Sequence, residues 1–167
     1  FILIPLILVA ILAISLSVSY VIAEGTTLYV NNGVSCDDTT TNSATTPYCT
    51  IQAAINDASS GDTIEVAAGT YNEDLTIDKS LTLNGAQAGV DARGRSASES
   101  EIVGVVVVTS DATNVVFDGL KFTSPTRAFN PRGFNLHVES ESSTIKNNIF
   151  VAEENAGHTY SGYLDLE

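Results

Sequence analysis

From Thr63 onwards, the apolar residues of this chain come in runs of only a few residues, separated by polar turns. In most runs apolar and polar residues alternate, which is the pattern of a strand that buries one row of side chains. The predicted strands cover residues 63–66, 75–77, 81–83, 102–103, 105–108, 115–117, 120–122 and 136–138, with further short runs at Ile145 and Ile149. Strands this brief must stack on one another to bury a core.

A small motif of an apolar residue, a polar residue and then Gly or Asn recurs where strands end. It occurs as Leu83-Asn84-Gly85, Phe117-Asp118-Gly119 and Ile145-Lys146-Asn147. Gly and Asn tolerate left-handed backbone angles, which a chain needs when it repeatedly turns the same corner. The pattern indicates a solenoid, in which each coil stacks on the previous one. A β-sandwich ranks second because it favours longer strands joined by hairpins.

Before the solenoid, the sequence predicts one short strand and one short helix. Residues 27–30 read as the strand. Ile51, Ala54, Ile55 and Ala58 share one helical face, which predicts an amphipathic helix that ends at residues 59–62. A helix of this length is not stable alone, so it must lie on an apolar surface.

These residues resemble the start of secreted pectin-lyase-like proteins. The resemblance runs from about Leu28 to Phe150, and its most specific stretches are residues 48–55, 61–66, 69–71, 75–77 and 83–95. It implies an all-β fold, a right-handed parallel β-helix whose N-terminal end is capped by the short helix. The family includes polysaccharide lyases and hydrolases as well as surface and adhesion proteins, so the fold does not decide the function.

Lyases of that family hold Ca²⁺ between carboxylates, so the resemblance makes the acidic residues candidate metal ligands. Glu139 and Glu141 have strand parity and are expected to share one face, which makes them weak candidates for a Ca²⁺ site. The alternative is a solvated acidic surface, and it is favoured. The segment 91–95 reads as a loop ion pair rather than an anion clamp, and no residue is predicted to be catalytic.

Residues 1–23 form an uncharged apolar leader that ends in Val21-Ile22-Ala23. Its length and its small residues at the end are typical of a secretory signal peptide. The alternative is a retained segment that is buried in a membrane or in an assembly. In that second interpretation the leader resembles the N-terminal helix of a type IV pilin, although Pro5 stands where bacterial pilins carry Glu.

The two cysteines, Cys36 and Cys49, bracket a polar, Thr-rich loop. In an exported chain such a pair is expected to form a disulfide. The sequence leaves open whether they pair within one chain. A metal site is disfavoured because two sulfurs need further ligands and neither histidine is nearby.

The chain carries 20 acidic and 7 basic residues, for a net charge of −13. Such a surface repels phosphates, so nucleic acid is not an expected partner. Polysaccharide is a possible partner, membrane contact is expected only through residues 1–23, and no cofactor is expected.

The sequence predicts three regions: the leader 1–23, a region of strand, disulfide loop and capping helix at 24–62, and incomplete β-helix coils at 63–167. The favoured function is a non-catalytic extracellular or cell-surface protein with a structural or adhesive role, including that of a filament subunit. Edges of uncapped coils invite end-to-end pairing, so self-association is expected. The alternatives are a fragment of a polysaccharide lyase or hydrolase and a carbohydrate-binding module.

Overall fold

The structure, a computed structural model, describes residues 25–33, 35–39, 42–123 and 136–151 and the backbone of 164–166. Its strands wind around one axis and enter three parallel sheets in turn. The first sheet holds β1 (Thr27–Val30), β2 (Thr63–Val66), β5 (Thr82–Asn84), β8 (Val116–Asp118) and β11 (Thr144–Lys146). The second sheet holds β3 (Gly69–Tyr71), β6 (Ser100–Val103), β9 (Leu120–Thr123) and β12 (Ile149–Val151). The third holds β4 (Leu75–Ile77), β7 (Val106–Val108), β10 (Leu136–Val138) and β13 (Leu164–Leu166).

Each coil therefore contributes one strand to each sheet, and every strand pair is parallel. The first coil is β2, β3 and β4, and the next coils repeat this order as β5 to β7, β8 to β10 and β11 to β13. This is the predicted all-β parallel β-helix. The coils differ in length because their connecting loops differ, as with residues 85–99 between β5 and β6.

The core is built from apolar side chains that stand in register from coil to coil. In the first sheet, Leu28, Ile64, Leu83 and Phe117 are paired neighbours along one row, and all are buried. In the second sheet, Phe122 pairs with Phe150, and their rings stack with centroids 5.1 Å apart. Each such large apolar side chain contributes about 1.5–3 kcal/mol when fully buried. Alternation within the short strands thus fills the interior, as the sequence pattern predicts.

The helix α1 (Ile51–Asp57) lies at the N-terminal end of this core. Thr50 caps it and accepts a hydrogen bond from Ala53 N–H, and Ile51, Ala54 and Ile55 are buried. The helix contacts β1, β2 and β4, so its apolar face covers the interior of the first coil. The predicted amphipathic helix is confirmed, with Ala58 as its C-terminal cap.

Two strands, β3 and β13, were not predicted as strands. The segment Gly69–Tyr71 alternates in burial, but it is only three residues long and begins with Gly, which is rare in strands. Others are shifted by one residue: β5 begins at Thr82, although Leu81 is buried. The reason is that corner residues also point inwards, so burial extends beyond the hydrogen-bonded strand.

The predicted left-handed corners are confirmed at Gly119 and Asn147, whose φ angles are 71° and 56°. The prediction is wrong for Gly85, whose φ is not positive. Gly85 is needed for a different reason: a Cβ there would lie 2.2 Å from the carbonyl oxygen of Gly119. Close approach of two coils, and not backbone angle, therefore excludes a side chain at this corner.

The apolar leader, residues 1–23, lies outside the described residues. None of the helices in the part of the chain that the structure describes has the length and apolar character needed to span a bilayer.

Candidate functional site

A disulfide-closed loop forms one border of the candidate site. Cys36 and Cys49 are bonded within the chain, with their Cα atoms 5.0 Å apart. Asn42, inside this loop, uses its side-chain amide to accept from Tyr29 N–H at 2.7 Å and to donate to Tyr29 C=O at 2.8 Å. The predicted pairing is confirmed, and the loop is fastened directly to β1.

A row of polar side chains runs along the outer surface of the first sheet. Tyr29, Glu65, Asn84, Asp118 and Lys146 are successive partners in its register. Asn84 donates to the Glu65 carboxylate at 2.8 Å, and Lys146 Nζ lies 3.2 Å from Asp118. Neighbouring coils are therefore joined by side chains as well as by backbone ladders.

Beside the N-terminal end of this row lies an open groove of about 380 Å³. Its floor includes Tyr29 and Glu65, and its sides are the disulfide loop and the corner after β5. Those sides contribute small apolar residues, namely Ala44, Pro47, Ala86 and Ala88. A Tyr ring and a carboxylate in a shallow groove are the kind of groups that can stack on a sugar and bind its hydroxyls.

A second groove, of about 580 Å³, lies between the disulfide loop and α1. It is lined by Asp38, Asn42, Asn56, Asp57 and neighbouring residues. Tyr48 donates its hydroxyl to Asp57 at 2.5 Å, and burial together with this carboxylate raises the pKa of Tyr48 to about 12. Asp38 accepts from the N–H groups of Cys49 and Thr50. The carboxylates of Asp38 and Asp57, which line this groove, are therefore already hydrogen-bonded within the protein and hold the loop and the helix.

The acidic residues on the strands are engaged in the same way. Glu101 lies 2.8 Å from Lys121 Nζ and accepts from Thr123 Oγ1 at 2.6 Å, and these two contacts hold its pKa below the usual range. Burial alone would raise the pKa of Asp118, but hydrogen bonds from Gly89, Asn147 and Lys146 outweigh it and lower that pKa. Both carboxylates link successive coils and stay ionised.

The loop 85–99 contains an arginine that is almost wholly buried. The side chain of Arg95 is 4% exposed and forms two 2.8 Å hydrogen bonds with Glu99. It also donates to the carbonyl oxygens of Val90 at 3.0 Å and Asn147 at 2.6 Å. The other pair in this loop, Asp91 and Arg93, is exposed. The predicted loop ion pair is confirmed, and with these acceptors Arg95 is not available to an anion.

The prediction that Glu139 and Glu141 are neighbours on a strand is wrong, because neither residue lies in a strand. Strand β10 ends at Val138, and Glu141 lies in the turn before Ser142, whose φ is 64°. Glu139 is instead 2.9 Å from His137 Nε2, because both side chains point outwards from the same side of the chain. Among the described residues, no group of three or more His, Cys, Asp or Glu side chains is arranged to hold a metal ion.

Sequence reasoning missed the polar row of the first sheet and its groove. A signal was present, since Asn84, Asp118 and Lys146 are the middle residues of the recurring corner motif. Tyr29 and Glu65 join that row only through the register, which depends on loop lengths that the motif does not specify.

Comparison with known proteins gives one match. A family model described as "Protein of unknown function (DUF1565)" matches residues 34–165. No curated protein and no solved structure matches the chain. The match includes the disulfide loop, the helix and the coils, and its description names no activity.

Proposed function

Since this chain belongs to the family described as "Protein of unknown function (DUF1565)", whose description names no activity, we propose a role from its own residues. We propose that it is a non-catalytic β-helix protein of the extracellular space or cell surface, with a structural or adhesive role. The observation that carries this proposal is that several carboxylates of the described residues hold coils, loop and helix together.

Several acids among the described residues are already hydrogen-bonded within the protein. Glu73 accepts from the first turn of α1, Glu101 from Lys121, and Asp118 from Asn147. A Ca²⁺-dependent lyase needs several carboxylates free to converge on one ion. In the described residues these carboxylates instead link the coils, the loop and the helix to one another. Such cross-links stabilise the solenoid, and a structural or adhesive protein requires a stable scaffold.

The disulfide supports the proposed location. Disulfides persist in oxidising compartments and are rare in the cytosol. The Cys36–Cys49 bond closes the loop that lies over β1, so the loop depends on oxidation for this cross-link. We therefore propose export, which agrees with the apolar leader seen in the sequence.

The non-catalytic role is tested by incubating the full chain with polygalacturonate, with Ca²⁺ and with a chelator. Unsaturated ends are followed by ultraviolet absorbance and new reducing ends by a colorimetric assay. We expect neither signal to exceed that of a heat-denatured sample. Ca²⁺-dependent release of unsaturated products would overturn the proposal in favour of a lyase, and reducing ends alone would favour a hydrolase.

Carbohydrate binding without turnover is a second candidate, and the groove at Tyr29 and Glu65 favours it. The test is binding of the full chain to an array of neutral and acidic glycans. Tyr29→Ala should abolish the strongest binding, because it removes the ring from the groove. Thr27→Ala is the matched control, since it changes the same strand outside the groove. Equal binding by both variants would exclude this groove as the glycan site.

We also propose that the protein self-associates, because structural proteins of the cell surface act as assemblies of many copies. Parallel coils can extend only by adding a strand to a free sheet edge. The state of those edges in this structure therefore determines which assemblies are open to the chain.

A further inference from the structure

Three strands form the N-terminal edge of the solenoid, one in each sheet. These are β1 in the first sheet, β3 in the second and β4 in the third, each the terminal described strand of its sheet. In a parallel ladder, alternate residues direct their N–H and C=O groups to opposite sides. Each edge strand therefore has residues whose backbone groups point away from the coil below.

In β4, the outward-directed residue is Thr76. Leu75 N–H donates to Val105 and Ile77 C=O accepts from Thr109, so both face the next coil. Thr76 faces the other way, where Gln52 of α1 accepts from its N–H at 2.8 Å and donates to its C=O at 3.3 Å. The Gln52 amide thus occupies both hydrogen-bonding positions that a neighbouring strand would use.

In β1 the same arrangement is found at Tyr29. Val30 C=O accepts from Ala67 N–H towards the coil below, so the groups of Tyr29 face the edge. The Asn42 amide binds both of them, at 2.7 and 2.8 Å, and Tyr48 N–H adds a second hydrogen bond to the carbonyl at 2.8 Å. This edge is therefore occupied by the disulfide loop.

In β3, Gly69 N–H donates to Glu99 in the coil below, which leaves Thr70 facing the edge. Asn32 donates its side-chain amide to Thr70 C=O at 2.8 Å. One primary amide from outside the solenoid therefore lies on each of the three edge strands.

A primary amide carries a C=O acceptor and an N–H donor, as a peptide group does, but it does not continue into a strand. Natural sheets prevent edge-to-edge association by devices of this kind. We propose that Asn32, Asn42 and Gln52 form an edge cap that closes the N-terminal end of the solenoid to strand addition. Self-association of this protein then uses another surface, because head-to-tail stacking onto this end would have to displace the amides from both backbone groups of Tyr29 and Thr76 and from the carbonyl of Thr70. The inference holds whether or not the protein is adhesive.

The first test measures the cap in the folded protein by hydrogen exchange at single amides. The full chain is kept in a mild detergent because residues 1–23 are apolar. Tyr29 and Thr76 N–H groups should be protected like those inside the ladders. Gln52→Glu, which keeps the acceptor and loses the donor, should accelerate exchange at Thr76 only modestly, and Gln52→Ala strongly. Neither variant should change the exchange rate of Tyr29 N–H. Asn42→Ala should accelerate exchange at Tyr29 and leave the rate at Thr76 unchanged. Unprotected Tyr29 and Thr76 amides in the unaltered chain would overturn the proposal.

The second test measures assembly. Asn42→Ala combined with Gln52→Ala should raise the fraction of elongated, β-rich particles by about tenfold or more in sedimentation and electron microscopy, because hydrogen-bonding edge groups are freed. Asn84→Ala combined with Gln87→Ala is the matched control, since it removes two side-chain amides from the second coil, away from the edge strands β1, β3 and β4. A folded double variant that assembles no more than the control would overturn the proposal. If the double variant does not fold, the exchange measurement on the unaltered chain decides.

Discussion

The carboxylates of Asp38 and Glu73 together accept hydrogen bonds from four consecutive backbone N–H groups at the start of α1. Asp38 accepts from the N–H groups of Cys49 and Thr50, with N···O distances of 2.7 and 3.1 Å. Glu73 accepts from those of Ile51 and Gln52, at 2.9 and 3.0 Å. One acid comes from the disulfide loop and the other from the corner between β3 and β4. The helix that closes the core is thus held by two separate parts of the chain.

Glu73→Gln should lower the free energy of unfolding by about 1–2 kcal/mol, because the amide keeps only one acceptor and no charge next to the helix N-terminus. Asp38→Asn should act in the same direction. Urea unfolding followed by circular dichroism gives the comparison. Asp111→Asn, in an exposed turn, is the control, and a Glu73 variant as stable as this control would contradict the assignment.

Arg95→Lys should lower the free energy of unfolding by about 2–4 kcal/mol, because Lys cannot reproduce the paired bonds to Glu99 or reach the same carbonyls. Arg93→Ala is the matched control in the same loop. Its side chain is 91% exposed, so this change should leave the free energy of unfolding nearly unchanged. Comparable losses for the two variants in thermal or urea unfolding would show that the buried pair has no special role.

Stability should fall in acid because of Asp62, Asp118 and Glu101, whose folded-state pKa values all lie below the ordinary range. For Asp62, burial opposes this direction, but hydrogen bonds from Ser59 and Thr26 outweigh it. In the unfolded chain these carboxyl groups have pKa values of about 4, so the unfolded chain takes up protons at a higher pH than the folded protein does. The stability that these groups contribute is therefore lost as pH falls from about 4 through their folded pKa values.

The measurement is the urea midpoint at several values between pH 7 and pH 2.5. Asp118→Asn should show a shallower decline over that window than the unaltered chain. Asp111→Asn should leave the slope unchanged, and a slope that is identical in all three proteins would contradict the role given to Asp118.

Reduction of the Cys36–Cys49 bond should destabilise the protein by about 3 kcal/mol, since it frees a loop of this size in the unfolded state. Urea unfolding with and without a reductant measures this difference. A variant with Cys36→Ser and Cys49→Ser should match the reduced protein and should not respond to the reductant. If reduction leaves the midpoint unchanged, the loop is held by Asn42 and Asp38 alone.

Much of the fold could be predicted from particular residues. The row Leu28, Ile64, Leu83 and Phe117 is visible as isolated apolar positions in short strands, and the core is formed from them. The left-handed corners at Gly119 and Asn147 followed from residue type. The reason for Gly85 could not be predicted in this way. A side chain is excluded there by the close approach of Gly119 from another coil, and no local pattern reveals that contact.

The candidate site was harder to predict, because its groups come together only through stacking. Glu139 and Glu141 looked like neighbours on a strand, yet strand β10 ends at Val138, before both of them. Tyr29 and Glu65 did not look like neighbours, yet they are register partners. Spacing along the chain predicts which side chains share a face only while the strand continues.

By itself, the sequence determined that this chain folds as a parallel β-helix with an apolar interior and a helix that cannot stand alone. Its alternation, its corner residues and its two cysteines are local features, and local patterns report local geometry. Only the tertiary structure decided that Arg95 reaches Asn147, that Glu73 holds α1, and that Gln52 closes the edge at Thr76. Those contacts join coils far apart in sequence. Their positions depend on how loops of unequal length set the register, and that is fixed when the coils stack.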